Sequence, residues 1–331
     1  MSRRGRWLGG LGLVLAAVLQ LAACGGVAAQ PPADSTASLG AAEQAAQTTI
    51  GTTPILVVAT FSVLADIVHR VGGDRIQVAT LVGPDGDAHT FEPAPSHARV
   101  LGDADAIFEI GLGFEPWLDE LYSAGASQAA RVVVTRGLVS SAPESQKASD
   151  GQIEVDPHVW HDVTLMIGVT ERVRDGLVAV DRASADAYRD AAAAYVAELR
   201  ELDRWVRERV ATLPTDSRKL VTAHDTFSYF ARQYGFEIVG VGLVTTEASD
   251  PSAAQVAELI AAVRAARVPA IFAENVSNPE LMERIATEAG VVLVPDLYTD
   301  ALGEPGMPGE TYLSMVRFNV DRIVTALTPG A

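Results

Sequence analysis

The stretch ILVVATFSVLADIVHRVGGDRIQVATLV, residues 55–82, carries two periodicities in turn. Residues 55–60 are an unbroken aliphatic and β-branched run, which suits a strand covered on both faces. FSVLADIVHRVGG then spaces its apolar residues three and four apart, as one face of a helix does, and RIQVATLV (75–82) returns to strand composition. Strand, helix and strand in so short a span make a parallel βαβ unit, the helix being the crossover that parallel strands require.

The same alternation continues outward. ADAIFEIG (104–111) precedes the helical FEPWLDELYSAG, and ARVVVT (130–135) closes the first half. DVTLMIGVTERVRDGLVAVD then reads as a helix with Asp162 as its N-cap. The run from Ala183 to Leu213 is rich in Ala and charge and contains no Gly or Pro, so it predicts one helix about 45 Å long at 1.5 Å per residue. Such a helix is a spine between two lobes or a peripheral helix of one large domain. After it the βα pattern restarts, with strands expected at RKLVTAH (218–224), FEIVGVG (236–242), VPAIFAE (268–274) and GVVLVPD (290–296), and a last helix over Tyr312 to Leu327. The expected fold is α/β: two βα lobes with parallel-sheet cores, over residues 54–182 and 214–331, joined by the spine helix of residues 183–213. Ligands of such folds lie at the carboxyl ends of the strands, facing the cleft between lobes.

The chain has 331 residues, 48% of them apolar, enough for two cores. It carries 25 Lys and Arg against 42 Asp and Glu, a net charge of −17, which excludes nucleic acid as a partner. Cys24 is the sole cysteine, so an internal disulfide, a CxxC redox motif and a thiolate metal site are all excluded. Arg3, Arg4 and Arg6 precede a short apolar run that ends in Leu21-Ala22-Ala23-Cys24. Residues 1–23 thus read as a secretion signal, and LAAC followed by two glycines resembles a bacterial lipobox with Cys24 as the acylated residue. Residues 24–53, poor in large apolar groups, read as the lipidated cysteine and a flexible tether. No later run is apolar for long enough to cross a bilayer, so the folded part is expected outside the cytoplasm, lipid-anchored to the bacterial cell membrane, at the cell surface or in the periplasm.

The chain has no GxxxxGK[ST], HExxH or GxSxG segment. Its six histidines divide into two kinds. His69 and His97 fall within helical segments beside charged neighbours, as solvated surface residues do. His89, His158 and His224 each stand where a strand or loop hands over to a helix, 69 and 66 residues apart. Imidazoles brought together from separate βα units, with a carboxylate, suit Zn2+ or Mn2+. For the carboxylate, the residues alone leave Asp300, Asp296 at the end of GVVLVPD and Glu274 at the end of AIFAE equally open. His161, three residues after His158, is either a further neighbour of the site or an exposed residue.

The segment VATFSVLADIVHRVGGDRIQVATLVGPDGDAHTFEPAPSHARVLGDADAIFEIGLGFEPWLDEL resembles the amino-terminal lobe of the solute-binding proteins of zinc and manganese ABC importers, the cluster A-I or periplasmic solute-binding protein family 9. The resemblance runs from about Ile55 to the carboxy terminus, with four motifs in the family's order. It implies that His89 of the HxFEPxPS motif, His158 of DPHVW, His224 of VTAHDTFSYFARQYGF (followed by an EASDPS stretch at Glu247 to Ser252) and Asp300 of LYTDALGEPGMPGETYLSMVRFNVDRI are the metal ligands. It also implies two lobes joined by a long helix that resists large hinge closure, an ABC permease as partner, a monomer, and a single Zn2+ or Mn2+ as cargo.

Zinc-dedicated members of that family often carry a His-rich loop between the first two ligands, whereas Val139 to Val155 here contains no His; the manganese-associated pattern places Glu where this chain has His224. Four protein ligands close a tetrahedral site and leave no position for an activated water, which argues for carriage and against a secreted metallohydrolase, and so against an enzyme. A metal-stabilised surface adhesin is the other alternative.

Overall fold

The computed structural model describes residues 54–139, 146–147, 153–242 and 251–330. The signal segment, Cys24, the tether, and Glu247 to Asp250 of the EASDPS stretch lie outside them. The first sheet contains β1 (Ile55–Phe61), β2 (Ile76–Val82), β3 (Ala106–Glu109) and β4 (Ala130–Val133), all parallel, in the order β2-β1-β3-β4. Central β1 is buried on both faces from Val57 to Phe61, which is why its sequence runs apolar without alternation. Helix α1 (Ser62–Gly72) buries Val63, Leu64, Ile67, Val68 and Val71, the three-and-four spacing read above. Helices α2 (Pro95–Asp103) and α3 (Leu118–Ala124) follow β2 and β3. The stretch without His between the first two His motifs contains a short antiparallel pair, β5 (Gln146–Lys147) with β6 (Ile153–Glu154).

Helix α4 (Val163–Val180) starts at Asp162, whose carboxylate accepts the Thr164 backbone N–H at 2.8 Å, so the expected N-cap is the observed one. Asp181 separates α4 from the long helix. Its carboxylate accepts the N–H groups of Ala183 and Ser184 and caps a 3-10 turn over Arg182–Ser184, and α5 (Ala185–Val210) runs on for 26 residues, about 39 Å at 1.5 Å per residue. The predicted helix is thus shorter by a few residues at each end. Tyr188, Ala192, Tyr195, Val196, Leu199, Leu202, Val206 and Val210 form its buried stripe. That stripe packs on α1 and α4 from the first half of the chain.

Beyond α5, β7 (Lys219–Thr222) pairs in parallel with β8 (Glu237–Val241), and β9 (Ala270–Glu274) with β10 (Val292–Leu297), β7 lying beside β9. Helices α6 (Ser228–Tyr234), α7 (Ala253–Ala266) and α8 (Glu280–Ala289) connect them, and α9 (Tyr312–Leu327) closes the chain over the residues expected. The strands are one to three residues shorter than their apolar runs, as frayed strand ends are. A smaller core of Val221, Val256, Ile260, Val263, Ile271, Met282 and Ile285 fills this half.

Helix α5 also packs on α6 and α9, so both halves are fastened to it. Arg209 Nε donates to Asp321 of α9 at 2.7 Å, and the Tyr234 hydroxyl of α6 donates to Asp203 at 3.0 Å. Leu199, fully buried in the middle of the stripe, is expected to cost about 2–5 kcal/mol on truncation to alanine. Chemical denaturation of the Leu199→Ala variant measures that loss.

Candidate metal centre

Each of the four expected ligands stands in a connection between a strand or loop and the next element. His89 follows β2, and its backbone N–H is accepted by Asp87 Oδ1 at 2.8 Å. His158 precedes the 3-10 turn Val159–His161 that leads into α4. His224 stands two residues after β7, and Asp300 three residues after β10. In β10 the ladder slips between Val294 and Leu297, around Pro295, which has no N–H to donate, and Asp296, whose φ is +61°. This bulge leaves Asp296 exposed, while Leu297 to Asp300 turn inward and are buried.

Among the described residues, His89, His158, His224 and Asp300 are the group whose ligand atoms converge, each atom within 4.8 Å of the others. His89 Nε2 lies 3.2 Å from His158 Nε2, and His224 Nε2 lies 3.0 Å from Asp300 Oδ2. The Asp300 oxygens are 3.6 Å from His89 Nε2 and 3.7 Å from His158 Nε2. Tetrahedral ligands about 2.0–2.1 Å from Zn2+ stand roughly 3.3 Å from one another, so the 3.0–3.7 Å spacings are close to those a coordination shell requires. His224 Nε2 and Asp300 Oδ2 are buried and make no hydrogen bond.

An aromatic floor underlies the group. Phe61, Phe114 and Trp160 pack with ring centroids 4.9–5.0 Å apart, His89 stands edge-on to Phe114 at 4.8 Å, and His158 stands on Trp160 at 5.2 Å. The floor also joins the halves. Trp160 Nε1 donates to the Thr299 carbonyl and accepts, through its own carbonyl, the Tyr312 hydroxyl, both at 2.8 Å. Beside it, Leu302 N donates to Ser62 Oγ, and Asp85 N donates to the Leu302 carbonyl, each at 2.9 Å.

Charges within the group are mutually dependent. Burial pushes the Asp300 carboxyl upward, but the imidazoles of His224, His158 and His89 outweigh it and hold the group well below the usual carboxylate range. Burial pushes His224 down, and the carboxylates of Glu274 and Asp300 outweigh it and raise its pKa well above that of free imidazole. Burial lowers His89, with Asp300 opposing. Glu274, one of the rivals for the fourth position, lies behind His224, accepting its backbone N–H at 3.0 Å and pairing with its Nδ1.

Two further carboxylates escaped the sequence analysis. Asp156 holds His158 from behind, as described below. Glu115 is buried in the first half, where it accepts from Thr60 Oγ1, Ile110 N and Gly111 N at 2.8–2.9 Å, and burial raises it to about 7. Asp156 stands two residues before His158 within DPHVW, a local signal that spacing offered, whereas the burial of Glu115 depends on the close approach of Thr60 from a distant segment. Of the other histidines, His69 is exposed as expected, whereas His97 is half-buried and accepts the Ala94 N–H on Nδ1 at 2.9 Å, capping α2.

His161 is a buried neighbour of the group. Its ring lies on Phe227 at 4.4 Å, its Nε2 has no partner, and burial, followed by the His158 charge, lowers it to about 3. Because its folded pKa lies below its unfolded value, its contribution to stability is complete above about pH 6.5 and is lost as pH falls toward about 3. The His161→Phe variant is therefore expected to lose stability less steeply over that acid range than the parent, as followed by denaturation at a series of pH values.

Against this geometry the chain can be set beside known proteins. The family model of ZnuA, zinc-uptake complex component A periplasmic, matches residues 57–326. The chain is 36% identical over 277 residues to the zinc-binding protein TroA of Treponema pallidum, covering 82% of this chain and 88% of that one. It is 32% identical over 272 residues to the manganese-binding lipoprotein MntA of Halalkalibacterium halodurans, again over 82% and 88% of the two chains. The solved structure of the periplasmic zinc-binding protein TroA superposes with a TM-score of 0.74 at 34% identity, over 83% of this chain and 99% of the other. The chain belongs to the ZnuA family of periplasmic metal-binding components of ABC importers, proteins of two α/β lobes.

Proposed function

We propose that this protein captures Zn2+ or Mn2+ outside the cytoplasm with His89, His158, His224 and Asp300 as its ligands and hands the ion to an ABC permease. The observation that carries the reading is the convergence of four ligand atoms, from both halves of the chain, to within 4.8 Å of one another. Substrate binding for import, rather than catalysis, is the work of the family and of the relatives it resembles. Three imidazoles and a carboxylate complete a tetrahedral shell without an activated water, and the aromatic floor shields it from solvent. The ligand set accepts either metal, and zinc binds more tightly than manganese at almost any such site, so affinity does not name the cargo. The LAAC segment and the resemblance to a manganese-binding lipoprotein support acylation at Cys24, and thereby tethering of the protein to the outer face of the membrane. Among the described residues no helix is long and apolar enough to cross a membrane.

Elemental mass spectrometry of the chain from Gly25 onward, stripped with chelator, reloaded and desalted, tests this reading. Stoichiometric metal is expected from either ion alone, with zinc retained when both are offered equally. His89→Ala, His158→Ala and His224→Ala are each expected to weaken binding by more than about 100-fold, beyond the loss attached to residues that only support ligands. Unchanged affinity in all three rejects the site.

Proton competition gives a separate check. Imidazole must lose its proton to ligate, so isothermal titration is expected to show zinc affinity falling from neutral to mildly acidic pH, with proton release on binding.

A further inference from the structure

His158 and His224 are each gripped from behind by a carboxylate, but by different geometries. Asp156 uses a single oxygen: Oδ1 accepts the His158 backbone N–H at 2.9 Å and lies 2.7 Å from its Nδ1, while Oδ2 is buried without a partner. Glu274 uses both oxygens: Oε1 accepts the His224 backbone N–H at 3.0 Å, and Oε2 pairs with its Nδ1. The Glu274 side chain is fully buried. Oε2 also accepts the Thr299 hydroxyl at 3.4 Å, so the carboxylate touches the residue next to Asp300 as well.

The chemistry of neutral imidazole makes this difference matter. One ring nitrogen carries the proton and the other a lone pair, and only the lone pair binds metal. A carboxylate accepts and cannot donate, so it stabilises the proton on the nitrogen it faces. The backbone N–H of His224 cannot give up its proton, which fixes Oε1 as an acceptor whatever residue stands at position 274.

We propose that Glu274 is a positioning residue for metal capture, fixing His224 with its proton on Nδ1 so that the Nε2 lone pair points at His89, His158 and Asp300. The inference rests on the ligand assignment made above and adds a specific requirement: both atoms of the group at 274 must be acceptors. Glutamine fills the same volume but supplies one acceptor. Its oxygen goes to the backbone N–H, and its amide then donates to Nδ1, which moves the ring proton to Nε2 and takes away the lone pair the ion needs. At position 156 the corresponding exchange is harmless to the tautomer, because the single oxygen of asparagine serves both donors as Oδ1 does.

The test compares zinc affinity, by competition with a chromophoric chelator, in the full mature chain and its Glu274→Gln, Asp156→Asn, His224→Ala and Glu274→Gln/His224→Ala variants. Glu274→Gln is expected to lose affinity by about 10–100-fold, the range found for residues that orient a ligand. Asp156→Asn is expected to lose clearly less. In the His224→Ala background, Glu274→Gln is expected to change nothing further, because its effect passes through the ring. Undiminished affinity in Glu274→Gln, an equal loss in Asp156→Asn, or an equal further loss without His224 overturns the proposal. Nitrogen-15 NMR of the zinc-loaded parent reads the tautomer without any variant: a proton on Nδ1 of His224 is expected, and a proton on Nε2 overturns it. A parent chain that binds no zinc rejects the metal-capture reading itself, an outcome distinct from all of these.

Discussion

Asp300 is a carboxylate with no solvent exposure, and the rest of the structure is organised around compensating it. An isolated ionised carboxylate in such a place is too costly to keep. Here its charge is balanced by imidazoles reached from different parts of the chain: His224 from the same half, His89 and His158 from the other. That compensation requires the two halves to meet at a fixed distance and angle. The bonds from Trp160 to Thr299, Tyr312 to Trp160 and Leu302 to Ser62 hold them there, and α5, packed on helices of both, spans the pair. A binding protein hinged on strands could open by bending a few residues. In this one, opening the site moves a buried helix stripe or breaks buried hydrogen bonds, which favours small displacements of the ligands.

Much of this was legible in the chain. The βαβ reading of residues 55–82, the Asp162 cap and the last helix follow from apolar period and cap chemistry, which are local. The three histidines were legible because each sits at a handover between elements, and the long helix because thirty residues pass without Gly or Pro. What stayed hidden depended on register and on contacts between distant segments. Asp296, Asp300 and Glu274 were equal candidates by position. A bulge around Pro295 separates the first two, and the position of β9 beside β7 places the third behind His224 instead of among the converging atoms. His161 was ambiguous for a related reason: three residues from His158 would share a face in a helix, but the intervening 3-10 turn directs its ring onto Phe227.

The exposure of the four proposed ligands is uneven, and that bears on carriage. His158, His224 and Asp300 are buried, whereas the His89 side chain keeps 11% of its surface exposed and stands on a loop between β2 and α2. His224 and Asp300 are tied together through Glu274 and Thr299, and His158 is fixed by Asp156, two residues before it. Three of the proposed ligands are thus fixed and buried, and the fourth, His89, is the one that keeps some exposed surface. A catalytic metal site keeps a coordination position free for substrate or water. A carrier instead needs complete ligation and one ligand that solvent can reach, since exchange of the ion has to begin by replacing a protein ligand with water. With the four proposed ligands on an ion, closed coordination and a single part-exposed histidine would satisfy both demands of a carrier, which must hold an ion in transit and then give it up.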